Sequence, residues 1–299
     1  MNIFKILANG DGTINEANVS AFLGYLLDPY ADHGLGFEFL ERFISNIKIK
    51  NDFFVKHYDY EILFEQAFKE EEQVETKSKQ IVDIVILSFD NRRGDRKESF
   101  AKSIIKNERE FKAMFLIENK IRKSSKTKGQ LISQFEATAS ELLKINDNKD
   151  ISENISENIY SIYITPNIKD FSEEFKSLER SGHSHHYAWN KDETNSLDKL
   201  ENTQDNTGKT NDNISIYDIL KTIIHDESKG EIEAINEYTK HTIKSFIQFI
   251  ANDFKSEQQE EKERKELSEP DRYVEIKYKI FYCDCFNLAF FMCQNSCTI

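Results

Sequence analysis

Cysteine is absent from the first 282 of the 299 residues, and the whole chain holds only 3 prolines and 10 glycines. Such scarcity excludes a disulfide-stapled secreted scaffold and any collagen-like or linker-dominated sequence. Positive charge is short as well: 40 Lys and Arg face 53 Asp and Glu, for a net charge of −13. A coat protein that binds nucleic acid indiscriminately would carry the opposite balance. No apolar run approaches the ~20 residues of a membrane-spanning helix, and the longest near the end, 285–293, is interrupted by Asn287. Met1 to Ala8 lacks the apolar stretch and cleavage site of a signal peptide. The expectation is a cytoplasmic protein with no membrane partner. What remains, 38% hydrophobic and 12% aromatic, suffices for one large core or two modest ones.

The four cysteines, Cys283, Cys285, Cys293 and Cys297, crowd into the tail with no histidine among them. Their C-x-C-x7-C-x3-C spacing suits free thiols better than a zinc site, and the abrupt change of composition also fits a truncated or shifted reading frame.

Apolar residues recur at helical spacing through Val19, Phe22, Leu23, Leu26 and Leu27, and Asp28-Pro29 stops them. Phe37 to Ile47 repeats that period, so a helical hairpin opens the fold. Tyr60 to Phe68 and Val74 to Thr76 read as strands. Ile81 to Phe89 is the clearest strand, an apolar and β-branched run broken by one charge, Asp83. A charged insertion over 90–110 precedes a further strand, Ala113 to Lys120. An amphipathic helix follows over Gln130 to Lys144, then a low-complexity loop at 151–158, and a strand from Ile159 to Thr165 that Pro166 ends. This order predicts an α/β fold, a mixed sheet with helices on both faces. The expected organisation is a core over 1–166, a polar and partly flexible connection over 167–213, and a C-terminal helical region over 214–299 with helices at 216–225 and 231–254.

Asp83 stands alone in a run of Ile and Val, and Glu118 follows Phe115, Leu116 and Ile117. A carboxylate buried in such a strand costs several kcal/mol unless it has a partner or a metal. Residues at i and i+2 of a strand share a face, so Glu118 and Lys120 project together while Asn119 points away. Asp83 and Glu118 would offer hard oxygens to Mg²⁺, or to Mn²⁺ in its place, with the Asn119 carbonyl as a further ligand. Lys120 would position a water or stabilise charge on phosphorus. Glu-x-Lys by itself is most often a solvent-facing salt pair; the apolar strands, the lone Asp and the basic turn give it weight. That turn, Lys120 to Lys128, holds Arg122, Lys123, Lys126 and Lys128 without an acid, and these are the candidate nucleic-acid contacts.

At these residues the chain resembles the PD-(D/E)XK, or restriction-endonuclease-like, nuclease superfamily, with Asp83 as the motif's Asp and Glu118-Asn119-Lys120 as its (D/E)XK. It is most similar to a bacterial subgroup that opens with a helix, a Leu-Leu-Asp-Pro stop and a His-Gly turn, here Leu26-Leu27-Asp28-Pro29 and His33-Gly34-Leu35-Gly36. The likeness extends to Gln130-Leu131, to Tyr163-Ile164-Thr165-Pro166 and more loosely to Ser215 to Leu220, or about residues 13 to 250. The resemblance implies an α/β/α sandwich around a four-stranded mixed sheet, plus C-terminal helices, and Mg²⁺-dependent cleavage of nucleic acid. DNA is the expected substrate, in restriction, phage defence or repair. It also implies an acidic group from the first helix near the metal. Glu16 fits by position, with helix capping or plain exposure an equal reading, and Glu75 is a rival. Gln130 would contact a water or a phosphate. Where related nucleases carry an aromatic residue four positions on, this chain has Gln134, with Phe135 adjacent. His33 is expected to brace the turn rather than bind phosphate, and 182–186 to form an exposed loop rather than a metal site. The alternative function is a catalytically weak or inactive nucleic-acid-binding or assembly module on the same fold. Its C-terminal helices would join a second copy or a partner protein.

Overall fold

The apolar runs become the centre of one sheet: β1 (Tyr58–Lys69), β2 (Lys79–Asp90), β3 (Phe111–Asn119), β4 (Ile159–Thr165) and β5 (Ser184–Ala188), in the order β1-β2-β3-β4-β5. The computed structural model describes residues 2–8, 14–47, 49, 53–69, 79–90, 111–123, 129–145, 158–176, 183–190 and 215–268. Outside these lie Val74 to Thr76, the charged insertion, the low-complexity loop, nearly all of the polar segment 190–213, and the cysteine tail. β1, β2 and β3 run antiparallel in succession, whereas β3, β4 and β5 run parallel. The sheet is therefore mixed.

Helices cover both of its faces. α1 (Ile3–Ala8), α2 (Glu16–Leu27) and α3 (Glu38–Ser45) precede the sheet, and α4 (Gln130–Ile145) and α5 (Ile168–Lys176) are interleaved with it. α6 (Ile216–Lys229) and α7 (Glu237–Ala251) come last of these; α8 (Glu257–Ser268) follows in the chain and belongs to a separate compact unit. Strand alternation sorts the core. Ile84, Ile86, Phe115, Ile117, Ile162 and Ile164 pack in one cluster with Leu23 of α2, Phe39 and Phe43 of α3, Ile223 of α6 and Phe246 of α7. Val85, Leu87, Met114 and Leu116 pack in another with Ala137 of α4, and Leu131 of α4 meets Tyr163 and Phe171 in a third. Among the described residues no helix is long and apolar enough to cross a membrane.

Several expectations are corrected. The sheet has five strands among the described residues, not four. The extra one, β5, occupies the segment read as an exposed loop: His185 and His186 are half-buried while Tyr187 and Ala188 are buried. All seven residues of β4 are buried, so its outer backbone edge needs a hydrogen-bonding partner, and a polar segment becomes a strand by pairing there. The Tyr187 hydroxyl then donates to the Phe43 carbonyl of α3. One compact unit spans Met1–Phe254 and the other Lys255–Ile299, because the apolar faces of α6 and α7 complete the first core cluster. Finally, α6 runs on to Lys229, where Gly230 takes the left-handed conformation (φ 74°) that closes its last turn. α7 starts only at Glu237, since the Asn236 side chain caps it through the Tyr238 N–H at 2.8 Å. Within the second unit, α8 opens on a reciprocal cap: Ser256 Oγ accepts the Gln259 N–H at 3.2 Å and Gln259 Oε1 the Ser256 N–H at 2.9 Å.

Ser215 makes the same arrangement for α6, its Oγ accepting the Asp218 N–H at 3.0 Å. Replacing Ser215 by Ala removes the cap, and the expected loss is about 1 kcal/mol of stability. Thermal unfolding by circular dichroism should show the midpoint about 2–4 °C lower.

Candidate active site

Asp83 shares its side of β2 with Val85 and Leu87, and Glu118 ends β3 on the side of Met114 and Leu116; both sides face the cluster that holds α4. The register pairs Val85 with Leu116 and Ile84 with Ile117. One step further along that ladder Asp83 meets Glu118. Lys120 lies just past the strand, but its N–H still bonds the Ile164 carbonyl at 2.8 Å. Its side chain thus returns to Glu118, with Nζ 2.6 Å from Oε1. Glu118 and Lys120 are 3% and 7% exposed, so this Glu-x-Lys is no surface salt pair. The expected trio is brought together.

Glu16 joins it from the first residue of α2. Its Oε1 accepts the Ile121 N–H at 3.3 Å and its Oε2 lies 3.9 Å from Lys120 Nζ. Capping of that helix falls instead to Asn15, whose side chain accepts the Asn18 N–H at 2.9 Å. Asn119 serves both faces of the sheet. Its main-chain N–H donates to Asp83 Oδ2 at 2.8 Å. On the opposite face its buried side chain donates to Ser20 Oγ at 3.0 Å and accepts from Trp189 Nε1 at 2.8 Å. The residue that holds Asp83 therefore also ties β3 to α2, the helix that carries Glu16.

From α4, Gln130 Nε2 donates to Glu118 Oε1 at 2.7 Å and Gln134 Nε2 to Glu118 Oε2 at 2.7 Å. Gln130 was expected at the site by resemblance, but in contact with water or phosphate. Gln134, Ser20 and Trp189 were not expected. A signal existed for Gln134, which shares a helix face with Gln130 four residues earlier, and for Ser20, four residues after Glu16. Nothing local marks Trp189.

Of the basic candidates, Arg122 and Lys123 are exposed just beyond β3, with Lys123 Nζ 3.3 Å from Asp170 Oδ2. Lys126, Lys128 and Glu75 lie outside the described residues. His33 is buried, with Nε2 2.9 Å from the Asp28 carbonyl and Nδ1 accepting the Leu35 N–H at 2.9 Å. Both ring nitrogens are committed to the turn. Burial also lowers its pKa, so it braces the turn as a neutral ring.

The electrostatics are lopsided. Burial raises the Glu118 pKa, against the Lys120 charge and the Gln134 hydrogen bond. Burial and then the Glu118 charge push Asp83 up to about 7, against the Asn119 N–H and Lys120. Burial works against the Lys120 ammonium, but the charge and hydrogen bond of Glu118, with Glu16 and Asp83, outweigh it and hold the pKa above the usual lysine range. Fully ionised, Asp83, Glu118 and Glu16 set three negative charges against one positive. Among the described residues no three His, Cys, Asp or Glu side chains close a cage around an ion. Mg²⁺, however, prefers one or two carboxylates and completes its shell with water and substrate phosphate. A pair of adjacent carboxylates with a surplus of negative charge has the donor chemistry for it.

The chain matches no family model, no curated protein and no solved structure.

Asp83 has a direct consequence for stability. Its folded pKa, about 7, lies above the ordinary 3.8, so folding favours the protonated acid. The stability it contributes is complete below pH 4 and is lost as pH rises through 7. In EDTA, Asp83→Asn should flatten that loss and unfold several degrees above wild type at pH 8. Melting curves between pH 5 and 8 that run parallel for the two proteins would overturn this assignment.

Proposed function

We propose that the chain is a divalent-cation-dependent nuclease: a phosphodiester hydrolase on a restriction-endonuclease-like form of the α/β fold, with DNA the first substrate to try. The observation that carries the proposal is the meeting of Asp83 on β2 with Glu118 and Lys120 at the end of β3. Three charged groups, one of them 2.6 Å from another, sit where apolar side chains would be more stable. Charge retained at that expense is characteristic of functional sites. Further support comes from the α/β class of the fold, a mixed sheet with helices packed on it. Helices α2 and α4 bring Glu16 and Gln130 from opposite sides.

Asp83 and Glu118 would hold Mg²⁺, with Glu16 nearby and the Asn119 carbonyl as a further oxygen; Mn²⁺ has similar ligand preferences. The bound cation would supply the positive charge that polarises a scissile phosphate. Lys120 stays protonated, pinned by Glu118 and Glu16, and would donate to a phosphate oxygen as negative charge develops there. Asn119 keeps Asp83 oriented through its main chain. Arg122 and Lys123 would hold the nucleic-acid backbone, and Lys126 and Lys128 are further candidates by sequence; such contacts position the substrate without reading its sequence.

One observation favours a second reading, an inactive nucleic-acid-binding or assembly module. Both Glu118 oxygens already accept protein donors, so the network is satisfied without a cation.

Incubation with plasmid, linear and single-stranded DNA and with RNA, in Mg²⁺, Mn²⁺ or EDTA, separates the two. The expected result is cation-dependent cleavage that Asp83→Asn, Glu118→Gln and Lys120→Ala each slow by at least about 100-fold. Equal cutting by wild type and Asp83→Asn would sink the site assignment. Retention of nucleic acid without cleavage would establish the binding module.

A further inference from the structure

We propose that Gln134 is a positioning residue of the cation site: its side-chain amide sets the orientation of the Glu118 carboxylate. The inference rests on the hydrolase reading above and concerns a residue to which neither the motif nor the resemblance gives a role.

The two Glu118 oxygens are not equivalent. Oε1 takes Lys120 Nζ at 2.6 Å and the Gln130 amide at 2.7 Å. Among the described residues Oε2 takes Gln134 alone, at 2.7 Å. A carboxylate oxygen has two lone-pair sites, so Oε2 is the oxygen with acceptor capacity left for a cation. Gln134 determines where it lies. Gln134 is a buried residue, 3% exposed, and its amide also donates to the Ile81 carbonyl at 2.6 Å. One NH₂ has two hydrogens, and both are used. One holds the carboxylate on β3; the other holds the main chain of β2 two residues before Asp83. The planar amide thereby fixes the plane of Glu118 relative to the strand that bears the other carboxylate. Filling space beneath α4 would need no amide, since methionine has nearly the same length and volume and no donor.

The experiment titrates Mn²⁺ into the full chain by calorimetry, without nucleic acid, for wild type, Gln134→Met and Tyr60→Phe. Tyr60→Phe loses a buried hydrogen bond to the Val55 carbonyl and serves as the control for general destabilisation. Gln134→Met should bind Mn²⁺ about 10- to 100-fold more weakly, while Tyr60→Phe binds as wild type does. Unchanged affinity in Gln134→Met overturns the inference and leaves the hydrolase reading standing. Absence of Mn²⁺ binding to wild type overturns both. Equal weakening in the two variants reduces Gln134 to a stability residue and overturns the inference too. Should Gln134→Met fail to fold, the Gln134 side-chain amide signals of the wild type decide the matter by NMR. Movement on addition of diamagnetic Mg²⁺ supports a positioning role, and signals that stay in place refute it.

Discussion

Glu118 is the constraint around which the rest of the site is arranged. A carboxylate only 3% exposed at the end of an apolar strand is tolerable only if nearly every lone pair finds a donor. Lys120 reaches it because i and i+2 share a strand face, and α4 reaches it with two glutamines one turn apart. Removing Gln134 would leave the buried Oε2 without a donor, a far larger cost than an average hydrogen bond is worth. The position of α4 over the sheet is thus set by polar chemistry at one end and by Leu131 and Ala137 in the apolar clusters along its length.

Asp83 is held more sparsely, and that difference divides the labour. Glu118 has an ammonium and two amides; Asp83 has the Asn119 main-chain N–H. Burial raises the pKa of both carboxylates, and Asp83, with the Glu118 charge as the next cause, reaches about 7. Asn119 supplies its one hydrogen-bond donor among the described residues and at the same time pins α2 from the other face through Ser20. Glu16, on that same helix, is placed by a hydrogen bond formed behind the sheet.

Legibility in the sequence followed the cost of breaking a local pattern. β2, β3 and β4 are visible as apolar runs, and Asp83 and Glu118 as charges those runs should not contain. Lys120 followed from strand periodicity. Gln134 did not stand out, because an uncharged amide on an amphipathic helix breaks no rule until its neighbour proves to be a buried carboxylate. Ser20 and Trp189 meet Asn119 across 99 and 70 residues of chain, a proximity that no local pattern encodes. β5 was hidden for another reason. Its first residues, Ser184 to His186, look like a loop, and their strand conformation comes from the open edge of β4. The helix at 216–229 was foreshortened because its polar last turn carries no apolar repeat.

The overall charge of −13 limits how such a protein could engage a polyanion. Screening confines each charged patch to about 8–10 Å at physiological salt, so the acidic bulk need not repel a strand held at Arg122 and Lys123. Were those two residues the contacts, few phosphates would be neutralised and binding would depend only modestly on salt, since the dependence scales with that number. The carboxylates pose the harder problem. With Asp83, Glu118 and Glu16 ionised, the site repels the phosphate it is proposed to cut, and Lys120 is too heavily engaged to offset them. A divalent cation at Asp83 and Glu118 would cancel that surplus, which makes cation and substrate binding mutually reinforcing and gives the exposed basic residues a steering role rather than the main share of affinity.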